Sequence, residues 1–273
     1  MAIEVPALTP VEESSYLTLC GRALDSRSPR SILRDTLADE VAVKVGQDPA
    51  KFPMAASSMR DVALRAKKLD GVVREFVAAH PDAVVLDLGV GLDNRAFRVD
   101  TPSTVDWYEV DLPGVAAVRR QVVPARPNVH TIAADLADEH WIDQVPSDRP
   151  AVVVADGLVA FLGQDDLVGL LNRLISHFPG GDIAFNGYTR FHVWAIKRYK
   201  GAASIADLVI NPGFDDPHAP EQWAPGLHLR EEIFLTRAPE IATYPLAIRL
   251  FTRFAALSEG FSRRGTTVLH YTF

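Results

Sequence analysis

An α/β fold with a mostly parallel sheet is what this sequence predicts, on three observations. Four apolar runs each finish in or beside an acid, a Gly-x-Gly bend follows the first of them, and amphipathic stretches separate them. Strands buried on both faces of a parallel sheet read as unbroken apolar runs, and ligands gather at their carboxyl ends.

Taken in order, the chain first offers helical segments, and between Met59 and His80 the apolar residues Val62, Leu69, Val72, Val73, Phe76 and Val77 recur at three- and four-residue spacing. The first strand runs into Leu86-Asp87-Leu88-Gly89-Val90-Gly91-Leu92-Asp93-Asn94-Arg95. A second, Val105 to Asp111, is closed by Pro113; a third runs from Asn128 through Asp135 to Leu136; a fourth spans Ala151 to Gly157 and contains Asp156. Each acid taken singly reads equally well as a helix cap or turn former. Gly181 to Gly187 is a fifth strand, Leu227 to Leu235 a sixth and Thr266 to Phe273 a seventh, with a helix over Pro245 to Leu257 between the last two. The expected sheet therefore has seven strands, mostly parallel, with an antiparallel last strand. One domain over 1–273 is predicted, with a helical cap over 1–80 and a substrate lid or insert over 188–226. The lid begins in Tyr188 to Lys200, a basic and aromatic stretch in an acidic chain; as an ordinary amphipathic helix it would turn its aromatics to the core and its cations to water.

The bend carries the first functional signal. A dinucleotide fingerprint wants a third small residue and rests a pyrophosphate on the helix N-terminus. Here Asn94 holds that third position with Asp93 before it, and an acidic bend repels pyrophosphate but tolerates the ammonium and sulfonium of S-adenosylmethionine. Asp111, twenty positions after Gly91, stands where such folds place a carboxylate for ribose hydroxyls. Arg65 falls on the apolar face of its helix, where an unpaired guanidinium is costly, so it needs an anion. That anion is either a ligand carboxylate or an internal partner, with Asp61 and Asp70 nearest in sequence.

Composition narrows the classes. The 273 residues are 48% hydrophobic and 23% charged, with a formal net charge of −7, which argues against a nucleic-acid partner. No apolar stretch approaches a membrane span, no export signal is evident at the N-terminus, and a cytoplasmic enzyme without a membrane partner is expected. The single cysteine, Cys20, excludes an internal disulfide and reads as a small core residue. No metal is expected.

The stretch Val62-Ala63-Leu64-Arg65-Ala66-Lys67-Lys68-Leu69-Asp70, the glycine run, Glu109-Val110-Asp111-Leu112-Pro113, Asp135-Leu136 and Asp156-Gly157-Leu158-Val159-Ala160-Phe161-Leu162 together resemble the leucine carboxyl methyltransferase family, in particular its bacterial branch of polyketide O-methyltransferases. The likeness reaches back to Tyr16–Ala23 and Ser31–Ala38 and fades after about residue 165. It implies a class I methyltransferase with a Rossmann-like sheet, using S-adenosyl-L-methionine. It also implies that Arg65 holds the cofactor carboxylate, Gly89 and Gly91 line the methionine portion, Asp111 takes the ribose, Asp135 and Leu136 bracket the adenine, and Asp156 faces the amino-acid end. Asp87 would assist near the ammonium, Glu109 is second choice for the ribose, and Arg22 matches a basic residue that relatives use. Departures are Asn94 where threonine is usual, Asp156 for glutamate, and Phe161 for a hydroxylated aromatic.

The activity implied is O-methylation of a small molecule, a carboxylate before a hydroxyl of a polyketide or other secondary metabolite. A carboxylate acceptor is already ionised at neutral pH; a hydroxyl needs a base, for which His192, His177 and His218 are candidates. A NAD-binding oxidoreductase and a non-catalytic cofactor binder are the alternatives.

Overall fold

A computed structural model describes residues 6–52, 55–198 and 203–273. The seven strands are β1 (Val84–Leu88), β2 (Asp106–Asp111), β3 (Val129–Ala133), β4 (Ala151–Ala155), β5 (Gly181–Gly187), β6 (His228–Phe234) and β7 (Thr267–Thr272). They form one sheet in the order β3-β2-β1-β4-β5-β7-β6. The first five pair in parallel, and β7 is inserted antiparallel to both β5 and β6. The seven strands and the antiparallel last one match the sequence expectation. Between β1 and β4 the order in which successive strands are added reverses, and this is the switch point at which such sheets open a crevice.

Alternation along the strands assigns each face its cover. Leu86 and Leu88 of β1, Val153 of β4 and Phe185 of β5 pack beneath helix Gln164–His177, whose Leu167, Leu170, Leu171 and Leu174 are buried. Val85, Trp107, Val152 and Val154 face the opposite way, against Leu69, Val73 and Phe76 of the helix Ala56–Ala79. Asp87 shares the second face with Val85, which sets it among the acids and arginines under that helix rather than in the apolar layer.

In chain order the helices are α1 (Pro10–Glu13), α2 (Ser15–Ser26), α3 (Thr36–Lys44), α4 (Ala56–Ala79), α5 (Arg95–Arg98), α6 (Pro113–Val122), α7 (Gln164–His177), α8 (Arg190–Arg198), α9 (Ala203–Ala206), α10 (Ala219–Trp223), α11 (Leu246–Ala255) and α12 (Glu259–Ser262). Thr9 and Glu12 make a reciprocal capping box on α1, and the Glu12 carboxylate also accepts from Gly114 N at 2.9 Å, fastening the N-terminal segment to the start of α6. Leu19, Ala23, Val41, Leu92, Val118 and Val122 form the apolar seam between α2, α3 and α6. Cys20 is buried there, and burial pushes its thiol up to about 11, so it behaves as a core residue. No helix among the described residues is long and apolar enough to cross a membrane.

The bend after β1 leads into the single turn α5, whose Arg95 lies 3.2 Å from Asp93 in a buried ion cluster. One expectation needs correction. The aromatics of α8 do not face the core: Tyr188, just before it, is buried, but Phe191 and Trp194 are 46% and 52% exposed.

Candidate functional site

The bend Gly89-Val90-Gly91 needs glycine at both ends. Gly89 and Gly91 have φ of 58° and 56°, the left-handed region that costs a residue with a Cβ about 1–2 kcal/mol. A Cβ on Gly89 would lie 2.8 Å from Leu158 Cδ1, and one on Gly91 would lie 3.2 Å from Ser15 Cβ. Gly89→Ala is therefore expected to lose roughly 1–3 kcal/mol of stability by urea denaturation, through strain and overpacking together. Gly71→Ala, in α4 with open space around it, is expected to gain a few tenths of a kcal/mol or more in the same assay.

With the backbone turned in this way, Gly91 N donates to Asp111 Oδ2 at 2.6 Å and Leu112 N donates to Oδ1 at 2.7 Å. Burial pushes the Asp111 carboxyl up while these two donors pull it down. Asp111 stands at the end of β2, Asp135 two residues past β3 and Asp156 directly after β4. All open on one cavity of about 540 Å³ along the carboxyl edge of the sheet. That volume is in the range of small-molecule and cofactor sites. The eight residues singled out from the sequence, Arg65, Asp87, Gly89, Gly91, Asp111, Asp135, Leu136 and Asp156, all line it, and so does Arg22.

Several of these side chains have partners that sequence reasoning did not assign. Arg65 is ion-paired through Nε with Asp156 Oδ1, not with Asp61 or Asp70. The bend beside this pair stays open, since Gly89 and Gly91 both border the cavity. Asp87 borders it too, but both its oxygens accept from Arg95 Nη1, at 2.7 and 2.6 Å. Burial pushes the Asp87 carboxyl up to about 7 against the pull of Arg95, with Asp93 and Glu109 adding to the rise. Glu109 is not on the cavity wall: its carboxylate meets Arg119 at 2.5 Å on the inner side of α6. Arg22 lies 3.3 Å from Asp35 and 3.6 Å from Asp93, and donates to Leu92 O at 2.9 Å. Asn94 leaves both side-chain polar atoms buried without a partner.

Arg95 is the residue the sequence reading missed. Its guanidinium is fully buried, 2.9 Å from Asp70, 2.6 Å from Asp87, 3.2 Å from Asp93 and 3.8 Å from Asp156. Arg98 adds Asp35, Asp70 and Asp93 at 2.8, 3.0 and 2.5 Å. Against the cost of burial, Arg22, Arg98 and Arg95 hold Asp93 well below the usual carboxylate range. Under the cavity, then, Arg22, Arg65, Arg95 and Arg98 face Asp35, Asp70, Asp87, Asp93 and Asp156, with carboxylates in excess. With Asp111 and Asp135 on the same wall, the cavity suits a ligand that carries positive charge.

Comparison with known proteins agrees with this geometry. Residues 15–175 match the leucine carboxyl methyltransferase family. TcmP, the tetracenomycin polyketide synthesis O-methyltransferase of Streptomyces glaucescens, is 38% identical over 241 residues, covering 88% of each chain. The chain belongs to the leucine carboxyl methyltransferase family. It is thus an S-adenosylmethionine-dependent methyltransferase, and the dinucleotide alternative falls away. The S-adenosyl-L-methionine-dependent methyltransferase dpfgK of Gibberella zeae is 30% identical over 258 residues, covering 84% of this chain and 83% of its own. Among solved structures, the plantazolicin methyltransferase BamL, in complex with a triazolic desmethylPZN analogue and S-adenosylhomocysteine, superposes with a TM-score of 0.52 at 8% identity over 96% of this chain and 98% of its own. The mycolic acid cyclopropane synthase CmaA1 gives 0.50 at 13% identity over 94% and 97%. At those identities the likeness is one of fold, the class I methyltransferase fold.

None of the methyltransferase's three candidate bases lines the cavity, and two are engaged or exposed away from it. His177 Nε2 is 2.9 Å from Val145 O, and His218 is half-exposed beside Glu221 at 3.2 Å. His192 sits one turn along from Tyr188, ring centroids 5.4 Å apart, and Tyr188 lines the cavity. The His192 Nδ1 is buried with no hydrogen-bond partner. Burial, and then the Arg65 charge, hold its imidazole down to about 4, so the ring is neutral at pH 7.

Proposed function

We propose that this methyltransferase transfers the methyl group of S-adenosylmethionine to a hydroxyl oxygen of a small, largely apolar molecule, with a phenol or enol favoured over a carboxylate. One observation supports the hydroxyl most. Among the described residues, Arg22 and Arg65 are the cations on the cavity wall, and each already faces a carboxylate. With Arg65 engaged by the cofactor and Arg22 held by Asp35 and Asp93, neither of these two is left to receive an acidic acceptor. This reverses the order in which the sequence ranks the two acceptors. The name of TcmP, an O-methyltransferase of polyketide synthesis, points to the same kind of substrate.

The roles proposed for the residues follow from charge and place. Arg65 and Asp156 form a matched pair of opposite charges whose ionic contact a zwitterionic amino-acid group can replace, the guanidinium taking its carboxylate and Asp156 its ammonium. Asp111, steadied by Gly91 N and Leu112 N, keeps lone pairs for two ribose hydroxyls. Asp135 and the Leu136 backbone flank the adenine. Asp87, held by Arg95, shapes the bend rather than meeting the ligand. The helices of 1–80 cap the site, and 188–226 supplies a wall through Tyr188 and Ile205.

When bound, S-adenosylmethionine supplies a methyl already activated by its sulfonium. The protein's task is to align the acceptor oxygen with that methyl, exclude water and accept one proton. As the new carbon–oxygen bond forms the carbon–sulfur bond breaks, and the hydroxyl proton leaves toward a base. His192 is the proposed acceptor of that proton. A buried nitrogen without a partner calls for a hydroxyl, and a neutral imidazole can receive it.

His192→Ala is expected to lower kcat on a phenol by ~100-fold or more while leaving S-adenosylhomocysteine affinity within about a factor of two; an unchanged kcat would remove His192 from the reaction. The acceptor class is tested with methyl-labelled S-adenosylmethionine and matched panels of phenols and carboxylic acids, followed by mild alkali. Methyl ethers survive alkali and methyl esters do not. Alkali-stable product from phenols is expected. Label only in alkali-labile product would overturn the hydroxyl reading, and no turnover on either panel would overturn both.

A further inference from the structure

Helix α11 is built inside out. Its inward side is Ile248, Thr252 and Ala255, while Leu246, Leu250, Phe251 and Phe254 stand 57–66% exposed, and Leu257 just beyond it is 82% exposed. A surface helix of a soluble monomer turns its large apolar side inward. The face does not stop at the helix. Phe254 packs edge-on to Phe261 of α12 at 5.9 Å, Arg264 stacks over Phe261 at 5.1 Å and over Phe191 of α8 at 5.5 Å, and Phe191 stacks on Trp194 at 5.7 Å. One contiguous strip thus joins the region after β6 to the helix that follows the Tyr188 wall of the cavity.

We infer that the α11–α12–α8 face is the contact between two copies of this chain in a two-fold dimer. Area is the first argument. Eight large apolar side chains exposed by 43–82% amount to on the order of 1,000 Å² per copy. That exceeds the ~300–600 Å² of the largest apolar patch on a typical monomer and meets the ~800 Å² that each partner contributes to a standard interface. Composition is the second. The strip is leucine, phenylalanine and tryptophan, with arginines laid flat on the rings: Arg264 as above, and Arg198 5.2 Å from the Trp194 centroid. Aromatics and arginine are the residues enriched at protein interfaces, and a two-fold axis sets such a strip against itself. A guanidinium stacked on a ring within the strip is oriented for an aromatic partner, whereas an anionic bilayer would draw those cations off the rings toward its headgroups.

The inference is independent of the acceptor and cofactor assignments. Sedimentation velocity on the full chain, over a wide concentration range, is expected to give twice the chain mass. Leu257→Arg and the double variant Phe251→Asp/Phe254→Asp are each expected to sediment as monomers while binding S-adenosylhomocysteine within a factor of two of the parent. Leu257 lies outside the helix and is almost fully exposed, so its variant keeps the test valid if the double variant does not fold. A monomeric parent at every concentration would overturn the inference. So would dimers that survive Leu257→Arg and the double variant, or a monomeric parent that floats with phosphatidylglycerol vesicles.

Discussion

Arg65→Ala is expected to weaken S-adenosylhomocysteine binding by ~100-fold or more, about 2.8 kcal/mol at 1.4 kcal/mol per decade. Arg65 and Asp156 are ion-paired with side chains 12% and 7% exposed, so the substitution also leaves a nearly buried carboxylate short of its partner. Breaking such a pair costs about 3–5 kcal/mol of stability, whereas removing both members costs far less. The two effects can therefore be separated. Arg65→Ala/Asp156→Ala is expected to recover much of the thermal stability that Arg65→Ala loses and none of the binding. Calorimetric titration with S-adenosylhomocysteine reads the first quantity and thermal melting the second. Affinity restored in the double variant would mean that Arg65 acts on the fold and not on the ligand.

Arg95→Met is expected to be the most destabilising substitution of those considered. It leaves Asp70, Asp87 and Asp93 facing one another with one guanidinium fewer, their side chains only 1%, 2% and 5% exposed. A loss of about 3–5 kcal/mol follows, or a fall in Tm on the order of 10 °C for a chain of this size. The pH dependence has a definite sign. Asp87 is already pushed up to about 7 by burial against the pull of Arg95, and losing Arg95 pushes it higher. A carboxyl raised in the folded state holds its proton there more tightly than in the unfolded chain, so its contribution is present at low pH and lost as pH rises through the folded value. Arg95→Met should thus regain stability between pH 8 and pH 6.5. His192, lowered to about 4, works in the opposite direction only below about pH 6.5, where the unfolded chain takes up a proton that the folded one refuses. Urea denaturation across pH 5–8 checks both arms. A variant whose stability is flat or falls from pH 8 to pH 6.5 would contradict this reading of the cluster.

The sheet was legible because its central strands are buried on both faces: Val84–Leu88 and Ala151–Ala155 are apolar runs with no alternation to misread. The cavity wall was legible because acids at the ends of consecutive strands converge whenever the strands are parallel, so Asp111, Asp135 and Asp156 could be grouped without knowing the loops. Pairings across the fold were not legible. For Arg65 the sequence offers a ligand carboxylate or, as internal partners, Asp61 and Asp70 on its own helix, whereas the internal partner comes from the far end of β4. Arg95 stands inside the most informative motif, yet its role depends on Asp70, Asp87 and Asp93 meeting in one place, which no spacing encodes. A signal did exist: an excess of acids predicted to be buried, with Arg95 beside them, calls for a cation. The exposed face of α11 escaped for the opposite reason, since apolar periodicity marks a face to be covered without saying by what.

At the centre of the account is the Arg65–Asp156 pair as a receptor for the amino-acid end of the cofactor. Calorimetric titration with S-adenosylhomocysteine and with 5′-methylthioadenosine, which keeps the nucleoside and lacks that end, tests it most directly. The parent protein is expected to bind S-adenosylhomocysteine ~100-fold or more tightly than methylthioadenosine, and Arg65→Ala to bind the two about equally. Equal affinities in the parent protein, or a preference that survives Arg65→Ala undiminished, would contradict it.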